Sequence, residues 1–450
     1  MTEQGVRWTA DQVLALAPDT ASRKAGSKLG AAGPWSGAGS SDEGTVWGLC
    51  RGSGSRPYRT VIDIADSTGP AYKCSCPSRK FPCKHALGLL LLWAGEDGAV
   101  PRGQAPDWAE EWIDGRRKRA DDTRATGPAG SSPPGDPEAA RRRAERRAEW
   151  ITAGAAELEH RLADLLRSGL ASAEHAGYGL WEETAARMVD AQAPGLAARV
   201  RDLEAIPSSG PGWPVRLLEE CALLHLLDQG WLRREALPDG LAGTVRSRIG
   251  LPGSADGPPV RDRWLVLAQY DTVDSRLTTR RVWLYGAGSG RTVLLLSYGA
   301  AGRAPELALP VGLALDAEVS AYPGAGQLRG ALGERFAAPA PTEFRPPGVD
   351  VARAVARYGE ALRDDPWLES RPVTLDRVVP APDGDGWQLA DADGELAVPL
   401  TPAARSRSGL WRLVALSGGA PVTVFGECGH LGFSPLTAWP EGPGEAVALC

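Results

Sequence analysis

The sequence predicts a multidomain α+β protein with a small N-terminal ββα module, a central helical region and a C-terminal, mainly antiparallel β domain. Three features of the sequence indicate this. Short strand-like runs near the N-terminus are separated by Gly- and Ser-rich turns and lead into an apolar helix. In the central region, from about Pro137 to Leu237, apolar residues recur at helical spacing. Beyond Pro258 the pattern changes to short runs rich in β-branched and aromatic residues, which is typical of strands.

The length of the chain and its composition set the domain boundaries. A chain of 450 residues exceeds the roughly 250 to 300 residues at which a single core stops growing. We expect a module over 1–95, a flexible linker over 96–136, a helical domain over 137–250 and a mainly β domain over 258–450. The linker is predicted from its Pro, Gly, Ser and mixed charges, with a short helix from Asp107 that docks onto the first module.

The N-terminal module begins with two short helices. Thr9 and Gln12 fit a capping box at the start of the first helix, and the second extends from Asp19 through Lys28. Three strands follow, predicted at 45–50, 58–64 and 71–74. The run from Lys84 to Trp93 is predicted to be helical, and because it is apolar on nearly every face, it should be covered on more than one side.

The central region is predicted to be helical and the C-terminal region to be built from strands. Leu158, Leu162 and Leu165 keep a helical spacing. The basic run over 141–147 opens this region, and the glutamate within it favours a solvated helix face over a phosphate site. One helix, from Asp350 to Leu362, is expected among the C-terminal strands. Those strands are predicted at 264–270, 281–285, 292–298, 372–379, 386–390, 396–400, 410–416 and 422–425.

A cluster of metal-binding residue types lies between Lys73 and His85, where the chain reads Lys-Cys-Ser-Cys-Pro-Ser-Arg-Lys-Phe-Pro-Cys-Lys-His. Cys74, Cys76, Cys83 and His85 share this stretch in a chain that has only seven Cys and five His. Three thiolates and one imidazole are a complete ligand set for tetrahedral Zn²⁺. We predict one structural zinc ion, closed to substrate because four protein ligands fill its coordination shell.

The spacing of these ligands, Cys-x-Cys, six residues, then Cys-x-His, resembles the signature of the SWIM zinc finger at all four ligand positions. The segments Trp47 to Tyr58 and Cys74 to Ala86 are similar to bacterial SWIM zinc finger family proteins, and Ala185 to Gly195 is similar to a later part of those chains. The resemblance implies a strand–strand–helix zinc module that contacts proteins or DNA. It also implies a partner from an AAA+ ATPase or von Willebrand factor A-type protein system.

One function that this sequence suits is that of a protein–protein adaptor. The whole chain is mildly acidic, with a formal net charge of −6, so it is not an obvious nucleic-acid binder. The predicted linker and the two further domains are typical of a protein that holds several partners.

Nucleic-acid binding, to DNA in particular, through the zinc module is the alternative. Through Gly95 the module carries 11 basic and seven acidic residues, and five of the chain's six lysines precede this glycine. The candidate phosphate contacts are Arg56, Lys73, Arg79, Lys80 and Lys84. The same residues would equally keep a small module soluble or neutralise the thiolates, so both interpretations stay open.

The sequence predicts a binding protein and no enzyme. It contains no nucleophile elbow, P-loop, Rossmann glycine fingerprint or metalloprotease helix. Cys428-Gly-His430 has a ligand-like spacing but no second pair nearby. The start of the chain lacks the pattern of a signal peptide. The longest apolar run of the whole chain is far short of the roughly 20 residues that cross a bilayer. We therefore expect a cytoplasmic protein without a membrane partner.

Overall fold

The structure is a computed structural model that describes residues 8–18, 20–52, 56–64, 70–78, 80, 82–95, 98–126, 137–171, 173, 177–251, 253–273, 277–300, 305, 307–324, 326 and 328–450. It confirms the predicted multidomain α+β fold, with a small N-terminal module, a helical middle region and C-terminal, mainly antiparallel sheets. Among the helices it describes, none combines the length and the apolar character that a membrane span requires.

The N-terminal module is a four-stranded antiparallel sheet covered by helices. Its elements are α1 (Ala10–Leu14), α2 (Thr20–Ser27), β1 (Trp35–Ser40), β2 (Thr45–Cys50), β3 (Tyr58–Asp63), β4 (Ala71–Cys74), α3 (Lys84–Ala94) and α4 (Asp107–Thr126). The strands pair in sequence order. Because side chains alternate between the two faces of a strand, Val46 and Ile62 pack towards α3, whereas Trp47 and Val61 pack towards α4.

Helix α3 lies at the centre of this module. Eight of its 11 residues are buried, as expected of a helix that is covered on more than one side. At Gly88 an added Cβ atom would lie 2.5 Å from the Cβ of Leu29. This glycine therefore allows the segment after α2 to pack directly against α3.

The region predicted as a flexible linker contains the 20-residue helix α4. Its Ala109 is buried against Trp47 and Val61, and Trp108 lies beside this contact. The guanidinium of Arg59 lies 6.0 Å from the centre of the Trp108 ring. A helix that begins at Asp107 thus packs on the first module, as expected, but it is longer than the sequence pattern indicates.

The central region is a helical bundle with its own core. Its helices are α5 (Pro137–Ser168), α6 (Gly177–Asp190), α7 (Pro194–Asp202), α8 (Trp213–Leu232) and α9 (Asp239–Ile249). α5 and α8 run antiparallel, since Trp231 Nε1 donates to Thr152 Oγ1 at 3.1 Å and Gln229 Nε2 donates to Glu159 Oε2 at 2.8 Å. The basic run at the start of α5 lies on an exposed helix face, where Arg142 pairs with a glutamate one turn earlier.

The next part of the chain forms a sheet that closes on itself, called here the closed sheet. Its strands are β5 (Val260–Val273), β6 (Leu277–Gly286), β7 (Thr292–Ala300), β8 (Leu313–Ala321), β9 (Arg329–Arg335) and the short β10 (Ala340–Pro341). They are ordered β10-β8-β5-β6-β7-β9, and β9 pairs again with β8. Pairs are antiparallel except for β7 with β9, which are parallel.

The C-terminal part is a second six-stranded sheet, ordered β13-β12-β11-β14-β15-β16 with all pairs antiparallel. Its elements are α10 (Val351–Ala361), β11 (Ser370–Asp383), β12 (Gly386–Asp391), β13 (Ala397–Pro399), α11 (Pro402–Arg405), α12 (Gly409–Ser417), β14 (Val422–Gly429), β15 (Gly432–Pro440) and β16 (Val447–Ala448). The side chains of Phe425, Leu436 and Trp439 pack against the outside of the closed sheet.

The prediction of a strand at 410–416 is wrong, because this segment forms helix α12. Leu410 and Leu413 are buried while the two residues between them are exposed, which is a helical and not an alternating pattern. Gly418 follows with φ of 51°, the left-handed conformation that commonly ends a helix.

The N-terminal module and the closed sheet share one hydrophobic core. Buried residues of α3, such as Leu87 and Leu90, belong to the same cluster as Trp264 and Val266 inside the closed sheet. Two hydrogen bonds cross between these parts of the chain: Trp8 Nε1 donates to the Pro339 carbonyl and Gln12 Nε2 donates to the Val311 carbonyl, each at 3.2 Å. The metal-binding module therefore covers one end of the closed sheet.

Candidate metal centre

The structure brings Cys74, Cys76, Cys83 and His85 together. Cys74 is the last residue of β4, Cys76 follows in the turn, Cys83 is the N-cap of α3, and His85 lies in the first turn of that helix. A strand end, a turn and a helix start thus supply the two pairs of ligands. Their ligand atoms all lie within 4.8 Å of one another, and this is the one such cluster of metal-binding groups among the described residues.

The geometry of this cluster fits a zinc ion. The Sγ of Cys74 lies 3.7 Å from Nδ1 of His85. In a tetrahedral site with Zn–S near 2.3 Å and Zn–N near 2.0 Å, neighbouring sulfur and nitrogen ligands are about 3.5 to 3.7 Å apart. Cys83 and His85 are buried and the other two ligands are half-buried, so the site is enclosed by the fold. Its donor set is consistent with one structural zinc ion.

The surroundings of Cys74 favour its thiolate form. The Cys83 thiol, the His85 ring and the Thr60 hydroxyl all lie within hydrogen-bonding reach, and together they hold the pKa of Cys74 well below its ordinary value. The pKa of Cys83 is raised in turn, because its proton is shared with Cys74 and its thiol is desolvated. A zinc ion bound here would take the place of that proton between the sulfur atoms.

Two neighbours of the ligands were not predicted from the sequence. Thr60 Oγ1 lies 3.3 Å from Cys74 Sγ, because these two residues are directly opposite in the pairing of β3 with β4. The ring of Tyr58 lies 4.8 Å from the His85 ring, tilted by 37°, and limits how that ring can turn. The strand predicted at 58–64 contains both residues, but only the pairing register of the strands places them beside the metal ligands.

Cys50 is close to the site without belonging to the ligand set. It is fully buried, and its thiol donates to the Arg51 carbonyl. Burial raises the pKa of this thiol, and the nearby Cys74 contributes to the same effect. Cys50 is therefore a small core residue beside the metal centre.

The predicted nucleic-acid contacts surround the metal centre without sharing one face. Lys73 is exposed and adjacent in sequence to Cys74, so it lies on the opposite face of β4. Lys84 is exposed at the start of α3, Lys80 is exposed in the metal-binding loop, and Arg56 precedes β3. Arg79 lies outside the described residues.

The comparison with known families agrees with this geometry. Residues 69–94 match the SWIM zinc finger, a range that includes all four ligands. Residues 146–249 match the SWIM-associated four-helix bundle domain, which spans the helical bundle from α5 to α9. A search of curated proteins and a search of solved structures each returned no match.

The fold and the site together define a zinc-finger protein that carries a helical bundle. The two family matches support a SWIM zinc finger family protein, as the spacing of its Cys and His residues predicts. A SWIM zinc finger of this kind is a zinc-binding interaction module.

Proposed function

We propose that this protein is a protein–protein adaptor in which zinc stabilises the N-terminal fold and the helical bundle binds the partner. A zinc ion held by four protein ligands leaves no position for a substrate or an activated water, which supports a structural role for the metal and a protein that is not an enzyme. The zinc module shares its core with the closed sheet, so a zinc ion bound there would stabilise a unit larger than the module itself.

The observation that carries this proposal is an exposed apolar stripe on α8. Val215, Leu218 and Leu226 are 60%, 48% and 44% exposed, and with Ala222 they recur at intervals of three, four and four residues. This spacing places them on one face of the helix. Leu166 of α5 is 45% exposed, and the antiparallel packing of α5 on α8 brings it to the level of Leu218.

The chemistry of this stripe indicates the kind of partner. Contiguous exposed apolar side chains that are bordered by polar residues mark protein interaction sites. Glu219 and Glu220 border the stripe and are exposed. A partner helix with an apolar face and basic flanks would match it, since helices bind such surfaces through anchors at helical spacing.

The resemblance to bacterial SWIM proteins favours an AAA+ ATPase or a von Willebrand factor A-type protein as this partner. We also propose that the adaptor works in the cytoplasm. All seven cysteines are free of disulfide bonds, which agrees with a reducing compartment.

Affinity purification from the protein's own cells tests the adaptor function. We expect the tagged chain to recover a defined set of proteins that nuclease treatment does not change. Leu218→Glu combined with Leu226→Glu should reduce this recovery about tenfold or more, because charges would replace the apolar anchors. Leu396→Glu combined with Leu431→Glu is the matched control, since both leucines are exposed in loops between strands of the C-terminal sheet.

Two outcomes would contradict the adaptor function. Unchanged recovery with the α8 variant would exclude the stripe as the docking surface. Loss of the recovered proteins after nuclease treatment would instead indicate that nucleic acid links them to the chain. For nucleic-acid binding through the zinc module, the favouring observation is the exposure of Arg56, Lys73 and Lys84.

A further inference from the structure

The order of strands in the closed sheet identifies a surface that is suited to ligand binding. If β5 to β9 are counted as strands one to five, the ring runs 1-2-3-5-4 and the fourth strand pairs again with the first. The third and fifth strands are parallel. This is the five-stranded Greek-key arrangement of the oligonucleotide- and oligosaccharide-binding fold, whose ligands lie across the second and third strands. Here that surface is the outer face of β6 and β7.

The C-terminal sheet covers one half of this outer face. Trp283 of β6 packs edge-to-face on Phe425 with ring centres 6.4 Å apart, and Tyr285 stacks on Phe344 at 6.0 Å. Glu427 accepts hydrogen bonds from Tyr270 and Trp283, each at 2.9 Å. A ligand can therefore reach only the other half, towards the start of β6 and the end of β7.

The open half consists of two rows of side chains across β5, β6 and β7. Cross-strand pairing gives the rows as Tyr270–Arg281–Leu296, which borders the covered half because Tyr270 donates to Glu427, and Thr272–Thr279–Tyr298. Tyr298 is 49% exposed and is the diagonal neighbour of Arg281, which places the two side chains within reach of one ligand. Within the part of the chain that the structure describes, Arg281 has no ion-pair partner, so its charge is available to a phosphate.

A cleft continues from this open half. The parallel pairing of β7 with β9 covers Leu294↔Arg329 and Leu295↔Gly330, and beyond it a cleft of about 300 Å³ opens between the two strands. The guanidinium of Arg329 lies over the Tyr322 ring at 4.3 Å, and both residues line the cleft. A second arginine–tyrosine pair thus lines a cleft that is also lined by Leu296, the strand neighbour of Arg281.

We propose that the open half of this face binds single-stranded nucleic acid, with a base stacked on Tyr298, a phosphate paired with Arg281 and the strand continuing into the cleft. Stacking on a tyrosine requires an unpaired base, which a duplex does not present. Arginine and tyrosine side chains together match the phosphate and the base of a nucleotide. The proposal places nucleic acid on the closed sheet, far along the chain from the basic residues of the zinc module, and it does not depend on the stripe on α8.

Fluorescence anisotropy with the zinc-loaded full chain and labelled oligo(dT) or oligo(U) of roughly 12 nucleotides tests this site. We expect binding at low salt that weakens as salt rises. Tyr298→Ala should weaken binding roughly 5- to 100-fold, because one stacked base is lost. Arg281→Gln should weaken binding and reduce the slope of log affinity against log salt by about 0.7, the value for one phosphate contact with a single strand.

Matched controls separate this site from general effects. Tyr298→Phe keeps the ring and should keep the affinity, and Arg291→Gln removes an exposed arginine of the hairpin at the other end of β6 and β7 and should change nothing. Thermal unfolding should be the same for all variants, because these side chains are at least partly exposed. The proposal is overturned if the chain binds neither oligonucleotide at low salt, if it binds duplex equally well, or if Lys84→Gln abolishes binding while Tyr298→Ala leaves it intact.

Discussion

Asp228 is a carboxylic acid enclosed in the helical bundle. It has no exposed surface, and neither of its oxygens receives a hydrogen bond from a donor among the described residues. Burial, with the nearby Glu159 carboxylate as a smaller cause, raises the pKa of Asp228 to about 9 from an ordinary value of 3.8. At neutral pH this group is therefore protonated in the folded bundle, and its proton can be donated to Glu159, which also accepts from Gln229 and His225.

The raised pKa of Asp228 makes the stability of the bundle depend on pH. In the unfolded chain the group ionises near pH 4, whereas in the folded bundle it keeps its proton up to about pH 9. The unfolded state thus binds fewer protons in this range, so the free energy of unfolding falls as the pH rises from about 4 to about 9. Asp228→Asn cannot ionise, so its stability relative to the wild type should rise by up to about 4 kcal/mol as the pH increases from 5 to 8.

Urea unfolding at several pH values, followed by far-UV circular dichroism, measures this difference. Asp190→Asn is the control, because Asp190 is exposed on α6 of the same bundle, and its pH dependence should match that of the wild type. Parallel pH profiles for the wild type and Asp228→Asn would show that the buried carboxyl does not bind the extra proton.

In helix α3, the packing around Gly88 has a larger effect on stability than the helix propensity of the residue at that position. Replacing a helix-interior glycine by alanine normally stabilises a helix by about 1 kcal/mol. At Gly88, however, the new methyl group would lie 2.5 Å from Leu29 Cβ and 3.1 Å from the Leu29 carbonyl oxygen. Because a backbone atom cannot move aside cheaply, we expect Gly88→Ala to destabilise the protein by about 1 to 2 kcal/mol.

Gly359→Ala supplies the opposite control for this prediction. Gly359 lies in α10, and nothing lies within 4 Å of the position of its added Cβ, so the substitution should stabilise by up to about 1 kcal/mol. The two variants differ only in their surroundings, and denaturant unfolding of both compares them directly. A Gly88→Ala protein as stable as Gly359→Ala would show that α3 and the segment around Leu29 do not pack this tightly.

The elements that could be predicted from sequence are those whose signal is local. The metal ligands, α3 and strands β2 to β4 follow from patterns within a few residues. Strand β8 alternates inward-facing apolar residues with half-exposed ones. This is a local strand pattern, although no strand is predicted there from the sequence. Strand β1 reads Trp-Ser-Gly-Ala-Gly-Ser, and such a glycine-rich run has low strand propensity. It forms a strand because β2 pairs with it, which no local pattern records.

At the scale of the whole molecule, the least predictable feature is the core that the zinc module shares with the closed sheet. Residues near Trp8 and Trp93, whose rings meet edge-to-face at 6.3 Å, belong to the same cluster as Leu313 and Leu315 of β8. More than 200 residues separate them in sequence, so periodicity predicts each side of the contact but not the contact itself. The helical bundle, in contrast, has a core of its own.

This shared core predicts how far the destabilisation caused by zinc loss extends through the protein. A zinc ion held by the four ligands would join the end of β4 to the start of α3, and structural zinc supplies folding free energy. Removing it with a chelator, or preventing its binding with Cys83→Ala, should loosen α3 and with it the end of the closed sheet that α3 covers. In hydrogen exchange, we expect protection to fall in Lys84–Ala94 and in Leu313–Ala321, while the bundle helices keep theirs.

Cys50→Ala is the matched variant for this experiment, because Cys50 is a buried thiol beside the site but outside the ligand set. It should retain one zinc ion per chain by metal analysis and keep the exchange pattern of the wild type, whereas Cys83→Ala should lose both. If the loss of protection stopped at α3 and left β8 unchanged, the two parts would be energetically independent despite their contact. If it reached β8, the zinc ion would stabilise the closed sheet as well, so that the surface around Tyr298 would depend on metal bound by a distant part of the chain.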